Sequence, residues 1–408
     1  MAVAPAFVSE PRSPLPDGWN ETTIGQEAVK VGSGITPTGG TRVYKRTGRP
    51  FVRSQNVGWG SLLLDDIAFI DEATHRSFEG TELRTGDVLL NITGASIGRS
   101  AVADAQIAGG NVNQHVCIIR PGPRLDPGYL NAYLLSDAGQ RQVAELQGGG
   151  NRQGLNFRQI RSFVIPRPPM PEQTAIAEWL NSGEALVASI GRLITKKSEL
   201  RAAARQGLLT GRVRLPGFRA EWKGVSFGEL AQPRRERIDP RRSGRQEFCI
   251  ELEHLEQATG RLLGSAKLAE DASLKGVFRP GDVLFGKLRS YLRKYWLADR
   301  PGVCSTEIWP LTANAEATTP SFLLQTVKTD GFVEAACQAY GTHMPRADWN
   351  VVRAYRLRVP SLPEQREIAA VLSDMDTEIE ALRARLAKTR DLKQAMAQEL
   401  LSGRTRLV

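Results

Sequence analysis

Cysteine is scarce, long apolar runs are missing, and histidine occurs only four times in 408 residues. Cys117, Cys249, Cys304 and Cys337 lie far apart with no CxxC pair, so neither a disulfide framework nor a zinc module is indicated; they read as buried thiols of a cytoplasmic protein. No stretch approaches the ~18 apolar residues of a membrane span. Residues 1–14 are proline-rich without a basic start and read as a flexible leader. Catalytic signatures are equally short. Gly281, Gly286 and Lys287 have the spacing of a phosphate loop, but Leu288 stands where its Ser or Thr belongs. Glu221 and Lys223 flank Trp222 without the upstream acidic partner of a nuclease site, and His75, His115, His254 and His343 are scattered. The expectation is a non-enzyme holding no metal and no cofactor of its own.

What the chain does have is basic charge and internal repetition. Lys and Arg number 54 against 44 Asp and Glu, giving a net +10 and a pI near 9.6. Such an excess favours a polyanionic partner, because cations displace counterions from phosphates. Residues 171–215 and 363–407 align without a gap at an offset of 192, with 16 identities in 45 positions. Both begin Pro-Glu-Gln and end Gly-Arg-x-Arg-Leu. Ile368, Leu372, Met375, Ile379, Leu382 and Leu386 follow a 4-3-4-3 spacing, and Ile176, Leu180, Val187, Ile190 and Ile194 keep the same phase, which predicts two long helices with coiled-coil seams. Lys393, Gly183 and Lys197 weaken the seam. Proline at each start and Gly211 or Gly403 at each end supply the terminal signals.

The segment ahead of each helix has short β-rich runs between glycine-rich turns, one helix expected over 127–147 in the first and one over 320–337 in the second. Trp222 echoes Trp19, and Gly281-Asp282-Val283-Leu284 echoes Gly86-Asp87-Val88-Leu89. The fold class is α+β: two mixed globular domains separated by two long helices. The boundaries are 15–168 and 217–360 for the globular domains, and 169–216 and 361–408 for the helical regions. Helices that stay alike while the heads differ suit a reader of two unlike targets.

The remaining chemistry is that of binding. Arg and Lys can bridge guanine O6 and N7, and Gln and Asn can do the same for adenine. The DNA-binding candidates of the first half are Lys45, Arg46, Arg53, Gln55, Asn56, Thr93, Ser96, Arg99, Arg152, Gln153 and Asn156. Those of the second are Lys287, Arg289, Tyr291, Arg293, Lys294, His343, Met344 and Arg346.

With these residues in hand, the chain resembles the specificity subunit of type I restriction-modification systems. The resemblance is carried by Leu15-Pro16-Asp17-Gly18-Trp19, the two Gly-Asp-Val-Leu runs, Thr93 to Gly98, Gly154-Leu155-Asn156, Ser305-Thr306-Glu307, Met344-Pro345-Arg346, and the Pro-Glu-Gln starts at 171 and 363. It implies two target-recognition domains, each reading half of a bipartite site in double-stranded DNA, around an antiparallel coiled coil with pseudo-two-fold symmetry. It also implies two docked methyltransferase subunits and further motor-nuclease subunits, with S-adenosylmethionine, ATP and magnesium on those partners. Residues shared by both helices are expected to be exposed and to dock partners: Glu172, Gln173, Lys196, Gln206, Arg212 and Arg214, with Glu364, Gln365, Lys388, Gln398, Arg404 and Arg406. The competing expectation is a coiled-coil adaptor whose two heads bind ligands other than DNA.

Overall fold

The computed structural model describes residues 14–38, 40–147, 154–239, 248–267, 273–338 and 345–407. The expected leader lies outside them except for its last residue. The chain divides into two compact units, residues 1–191 with 385–408 and residues 192–384. Both boundaries fall inside the 41-residue helices Met170–Thr210 and Leu362–Ser402, so each unit holds the start of one helix and the end of the other.

Among the described residues the first unit contains nine strands: β1 (Asn20–Thr23), β2 (Ala28–Ser33), β3 (Arg49–Val52), β4 (Ala68–Ile70), β5 (Val88–Asn91), β6 (Ser100–Val102), β7 (Asn111–Val112), β8 (Val116–Pro121) and β9 (Val164–Arg167). They form a four-stranded sheet in the order β2-β8-β5-β6, a three-stranded sheet β4-β3-β7, and the pair β1-β9. Alternation along the central strands divides two cores. Val88, Leu90, Cys117 and Ile119 meet Tyr129, Leu130, Tyr133 and Leu134 on the helical side, while Leu89, Val116 and Ile118 meet Val52, Val57 and Val112 on the other.

The second unit repeats the plan with β10 (Lys223–Ser226), β11 (Ala231–Pro233), β12 (Arg237–Ile238), β13 (Phe248–Ile250), β14 (Ala266–Lys267), β15 (Lys275–Phe278), β16 (Val283–Gly286), β17 (Tyr295–Leu297), β18 (Gly302–Cys304), β19 (Ile308–Ala313) and β20 (Arg356–Val359). Its central sheet is β11-β19-β16-β17, beside β12-β15-β18-β13-β14 and the pair β10-β20. Val283, Phe285 and Leu311 face Leu323, Val327 and Phe332, whereas Leu284 and Ile308 face Ile250, Leu255 and Phe278.

Each expected single helix is two. Pro127–Leu135 stops because Ser136 is extended (φ −71°, ψ 163°), and Ser136 Oγ then accepts from the Gly139 amide at 3.3 Å to start Asp137–Gln147. Thr329 plays the same part between Pro320–Val327 and Asp330–Cys337, its Oγ1 accepting from Phe332 at 3.3 Å. Periodicity alone does not reveal such a break, since the apolar side continues across it.

Within each unit the long helices run antiparallel. Glu172 meets Arg406 and Glu184 meets Lys393 in the first unit; Lys197 meets Glu378, Arg201 meets Asp376 and Arg214 meets Glu364 in the second. The weak seam positions are thereby explained. A side chain added at Gly183 would come within 3.3 Å of Lys393 Cγ, so the glycine makes room for the lysine stem. Shifted by 192 positions, Lys393 and Glu184 become Arg201 and Asp376: an ion pair interrupts the apolar seam at the same place in both units. Cys117, Cys249 and Cys304 are buried and Cys337 is half-buried. Burial pushes the Cys117 thiol up to about 12.

Candidate nucleic-acid interface

Three chain segments meet where β5 ends, and their hydrogen bonds recur one for one where β16 ends. Ile92 donates to His115 O at 3.0 Å, and Lys287 donates to Glu307 O at 2.9 Å. Leu155 donates to Ile92 O at 2.9 Å, and Ala347 to Lys287 O at 2.8 Å. Asn113 donates to Val52 O at 3.0 Å, and Ser305 to Ile250 O at 2.9 Å. The bridge between Thr93 and Gly154 likewise matches that between Leu288 and Arg346. The backbone is constant here while the side chains are not, as loops on a rigid scaffold allow.

Several sequence candidates gather at these junctions. Thr93 Oγ1 lies 2.6 Å from His115 Nδ1, and Ser96 and Arg99 occupy the same loop, with Arg99 Nε buried and without a hydrogen-bond partner among the described residues. In the second unit Lys287 is half-buried, Arg346 pairs with Glu307 at 3.1 Å, and Arg289 and Arg293 bracket a tight turn. Both arginines have left-handed backbones, with φ 54° and 51°, which leaves Arg289 and Tyr291 exposed. Lys45 and Arg46 are exposed, Lys45 beside Asp71 at 3.7 Å. Arg152, Gln153, His343 and Met344 lie outside the described residues.

Other candidates are engaged in holding the fold. Asn56 is fully buried: its amide donates to Leu63 O and Asp66 Oδ1, both at 2.9 Å, and its oxygen accepts from Arg53 N at 3.0 Å. It fixes a turn and has no edge left for a base. Arg53 donates to Asp66 O at 2.7 Å, and exposed Gln55 bonds Asp66 as well. Asn156 caps the helix Phe157–Arg161, accepting from Gln159 N at 2.9 Å. Lys294 donates to Leu252 O at 2.6 Å, and Arg293 to Asp330 at 2.5 Å. Sequence reading passed over His115 and the cations Arg235 and Arg237. The two arginines line a cleft of about 390 Å³ with Lys287, Trp309 and Trp349, a lining able to hold phosphate and stack against a planar group.

Four of the expected docking residues are buried instead of exposed, a correction to the sequence reading. Glu172, Gln173, Glu364 and Gln365 are at most 1% exposed. Gln173 accepts from the Asp126 amide at 2.8 Å and donates to Arg124 O and Pro168 O, while Gln365 accepts from the Thr319 amide at 3.1 Å and donates to Ala317 O and Pro360 O. Each glutamine thus ties a long helix to its globular partner by satisfying backbone groups that would otherwise be orphaned. Arg406 and Arg214 close on the two glutamates and lie 5.8 Å and 5.7 Å from the Trp19 and Trp222 rings. Lys196, Gln206, Arg212, Lys388, Gln398 and Arg404 are exposed; Gln398 bonds Asp137 and Arg404 pairs with Glu399.

Comparison with known proteins fits this duplicated plan. The family model described as type I restriction modification DNA specificity domain matches twice, over residues 50–196 and 279–388. The chain is 22% identical over 309 residues to the type I restriction enzyme EcoDI specificity subunit of Escherichia coli, covering 66% of this chain and 69% of that protein. Among solved structures, the type I restriction-modification S subunit from M. genitalium aligns with a TM-score of 0.60 at 14% identity, covering 96% of this chain and 98% of the other. The HsdS subunit from Thermoanaerobacter tengcongensis aligns at 0.50 and 18%, covering 97% and 100%. Two matched specificity domains on two like units make this chain a member of the type I restriction-modification DNA specificity family.

Proposed function

We propose that this chain is the non-catalytic, sequence-reading subunit of a type I restriction-modification complex. The observation that carries the reading is the bond-for-bond repetition of the loop junction at β5 and β16, with different side chains at equivalent positions. One scaffold used twice with two sets of readers suits a bipartite site in duplex DNA. The recognition domains are assigned to residues 15–168 and 217–360, and the helical regions to 169–216 and 361–408. Exposed Lys45, Arg46 and Arg289, with half-buried Lys287, supply phosphate contacts, which position without specifying.

The helices serve as spacer and as the docking face for two methyltransferase subunits, through exposed residues such as Lys196, Gln206 and Lys388. Motor-nuclease subunits join that assembly, and S-adenosylmethionine, ATP and magnesium are held by the partners. The complex is cytoplasmic; among the described residues no helix is long and apolar enough to cross a membrane. Family membership gives the adaptor alternative no support. Duplex binding measured against salt tests the reading: affinity should fall steeply and linearly on a log-log plot, with the slope giving the number of phosphates neutralised. A salt-independent affinity would overturn it.

A further inference from the structure

His115 and Glu307 occupy one and the same place in the two units. Each accepts through its carbonyl from the residue that follows the central strand, Ile92 at 3.0 Å and Lys287 at 2.9 Å. Each has its own amide held by the side chain two positions earlier, Asn113 Oδ1 at 3.1 Å and Ser305 Oγ at 3.3 Å. The turn ahead of each closes identically, from Val116 N to Asn113 O at 3.2 Å and from Ile308 N to Ser305 O at 3.0 Å. The residues bridged to Thr93 and Leu288 across the junction, Gly154 and Arg346, are also equivalent. These four matched interactions fix the backbone, together with the Leu155/Ala347 and Asn113/Ser305 amide hydrogen bonds, and the chemistry it carries differs completely.

In the second unit Arg346 Nη2 sits 3.1 Å from Glu307 Oε1, and Glu307 Oε2 is buried with no hydrogen-bond partner among the described residues. A guanidinium fork beside a carboxylate is a donor set next to an acceptor set. The major-groove edge of a G·C pair is the reverse: O6 and N7 of guanine accept, and N4 of cytosine donates. In the first unit glycine replaces the arginine. His115 has Nδ1 engaged by Thr93 Oγ1 at 2.6 Å, which leaves the Nε2 side, beside Gln114 at 3.4 Å, for a single base contact.

We propose that His115 and Glu307 are equivalent specificity-determining residues, one for each half of the DNA site, and that Glu307 with Arg346 reads one G·C pair. The proposal rests on the reading of the chain as a bipartite DNA reader. Glu307 holds Arg346 at the correct height and at the same time rejects thymine, whose O4 would face the carboxylate. His115 discriminates less sharply because it makes one contact instead of a paired set.

The test is selection by the full chain from a pool of randomised duplexes at low salt, with the wild type, Glu307→Gln, Arg346→Lys and His115→Ala compared. Glutamine keeps the length and the hydrogen bond to Arg346 but adds a donor. It should lower the preference for cytosine at one position by about tenfold and admit adenine on that strand, leaving the other half-site unchanged. Arg346→Lys should relax the same base pair, so the assignment stands even if one of the two variants fails to fold. His115→Ala should relax one position in the opposite half. Unaltered motifs from the Glu307 and Arg346 variants, or changes spread over both halves, would overturn the proposal. A wild-type chain that enriches no motif would instead bring down the DNA-reading function on which it depends.

Discussion

Arg406 closes on Glu172 across 234 positions of sequence, Nε to Oε1 at 2.5 Å and Nη2 to Oε2 at 2.7 Å. Arg214 grips Glu364 in the same bidentate way at 2.7 and 2.8 Å. Each arginine comes from the end of one helical region and each glutamate from the start of the other, so the pair staples both to the tryptophan that opens the globular segment. The two staples differ in one bond. Trp19 Nε1 donates to Glu172 at 3.0 Å, whereas Trp222 Nε1 has no hydrogen-bond partner among the described residues.

That difference sets the first prediction. Arg214→Ala strands the buried Glu364 carboxylate with no other donor among the described residues and should cost about 3–5 kcal/mol, as removing one partner of a buried pair does. Arg406→Ala should cost less, because the Trp19 indole still serves Glu172. Thermal or urea unfolding of the two variants checks the order.

Glycine caps give the second. Gly211 and Gly403 end the long helices at φ 72° and 77°, where a β-carbon costs about 1–2 kcal/mol. At Gly211 the added methyl would only touch the Trp222 ring at 3.4 Å, but at Gly403 it would collide with Pro16 Cγ at 2.4 Å. Gly403→Ala should therefore lower the unfolding midpoint more than Gly211→Ala.

These caps, the repeat and the α+β plan were legible in the sequence because they depend on local signals: glycine at the helix end, heptad spacing, alternation in the strands. The buried Glu172 and Gln173 were not, since a polar residue in a helix's first turn reads as solvated. Their partners, Arg406 and the backbone of Arg124 and Asp126, are distant in sequence. Asn56 and Asn156 carry the right functional groups for bases, yet the whole Asn56 amide is spent on a turn and the Asn156 oxygen on a cap. His115 was set aside as one of four scattered histidines; its tie to Glu307 emerges only from matched backbone bonds.

Acid should expose the charge cluster of the second unit. Burial alone would raise the Asp376 carboxyl, but Lys328 at 3.0 Å and Arg201 at 2.5 Å outweigh it and hold the group below its ordinary value. For Lys328 burial wins over Asp376, and its ammonium is lowered. A depressed carboxyl contributes stability that is complete above the unfolded-state value, about 3.9, and is lost as pH falls through the folded value. The stability gap between wild type and Asp376→Asn, measured by urea unfolding, should be full at pH 7 and begin to close only below about pH 4. A gap that persists to pH 2 would contradict this.

Asn56 and Gln55 separate structure from recognition. Asn56→Ala removes three buried bonds and should destabilise by about 1–3 kcal/mol, weakening all duplexes alike. Gln55→Ala, at an exposed position, should leave the unfolding midpoint within about 0.5 kcal/mol of wild type.

The central claim is that two readers of different specificity stand on one duplicated scaffold. Exchanging residues 19–167 for those of a family member, in a host that also carries the methyltransferase subunit, and sequencing the host's modified DNA tests it most directly. New bases should appear in one half of the methylated motif while the other half stays unchanged. A motif altered in both halves, or not at all, would contradict it.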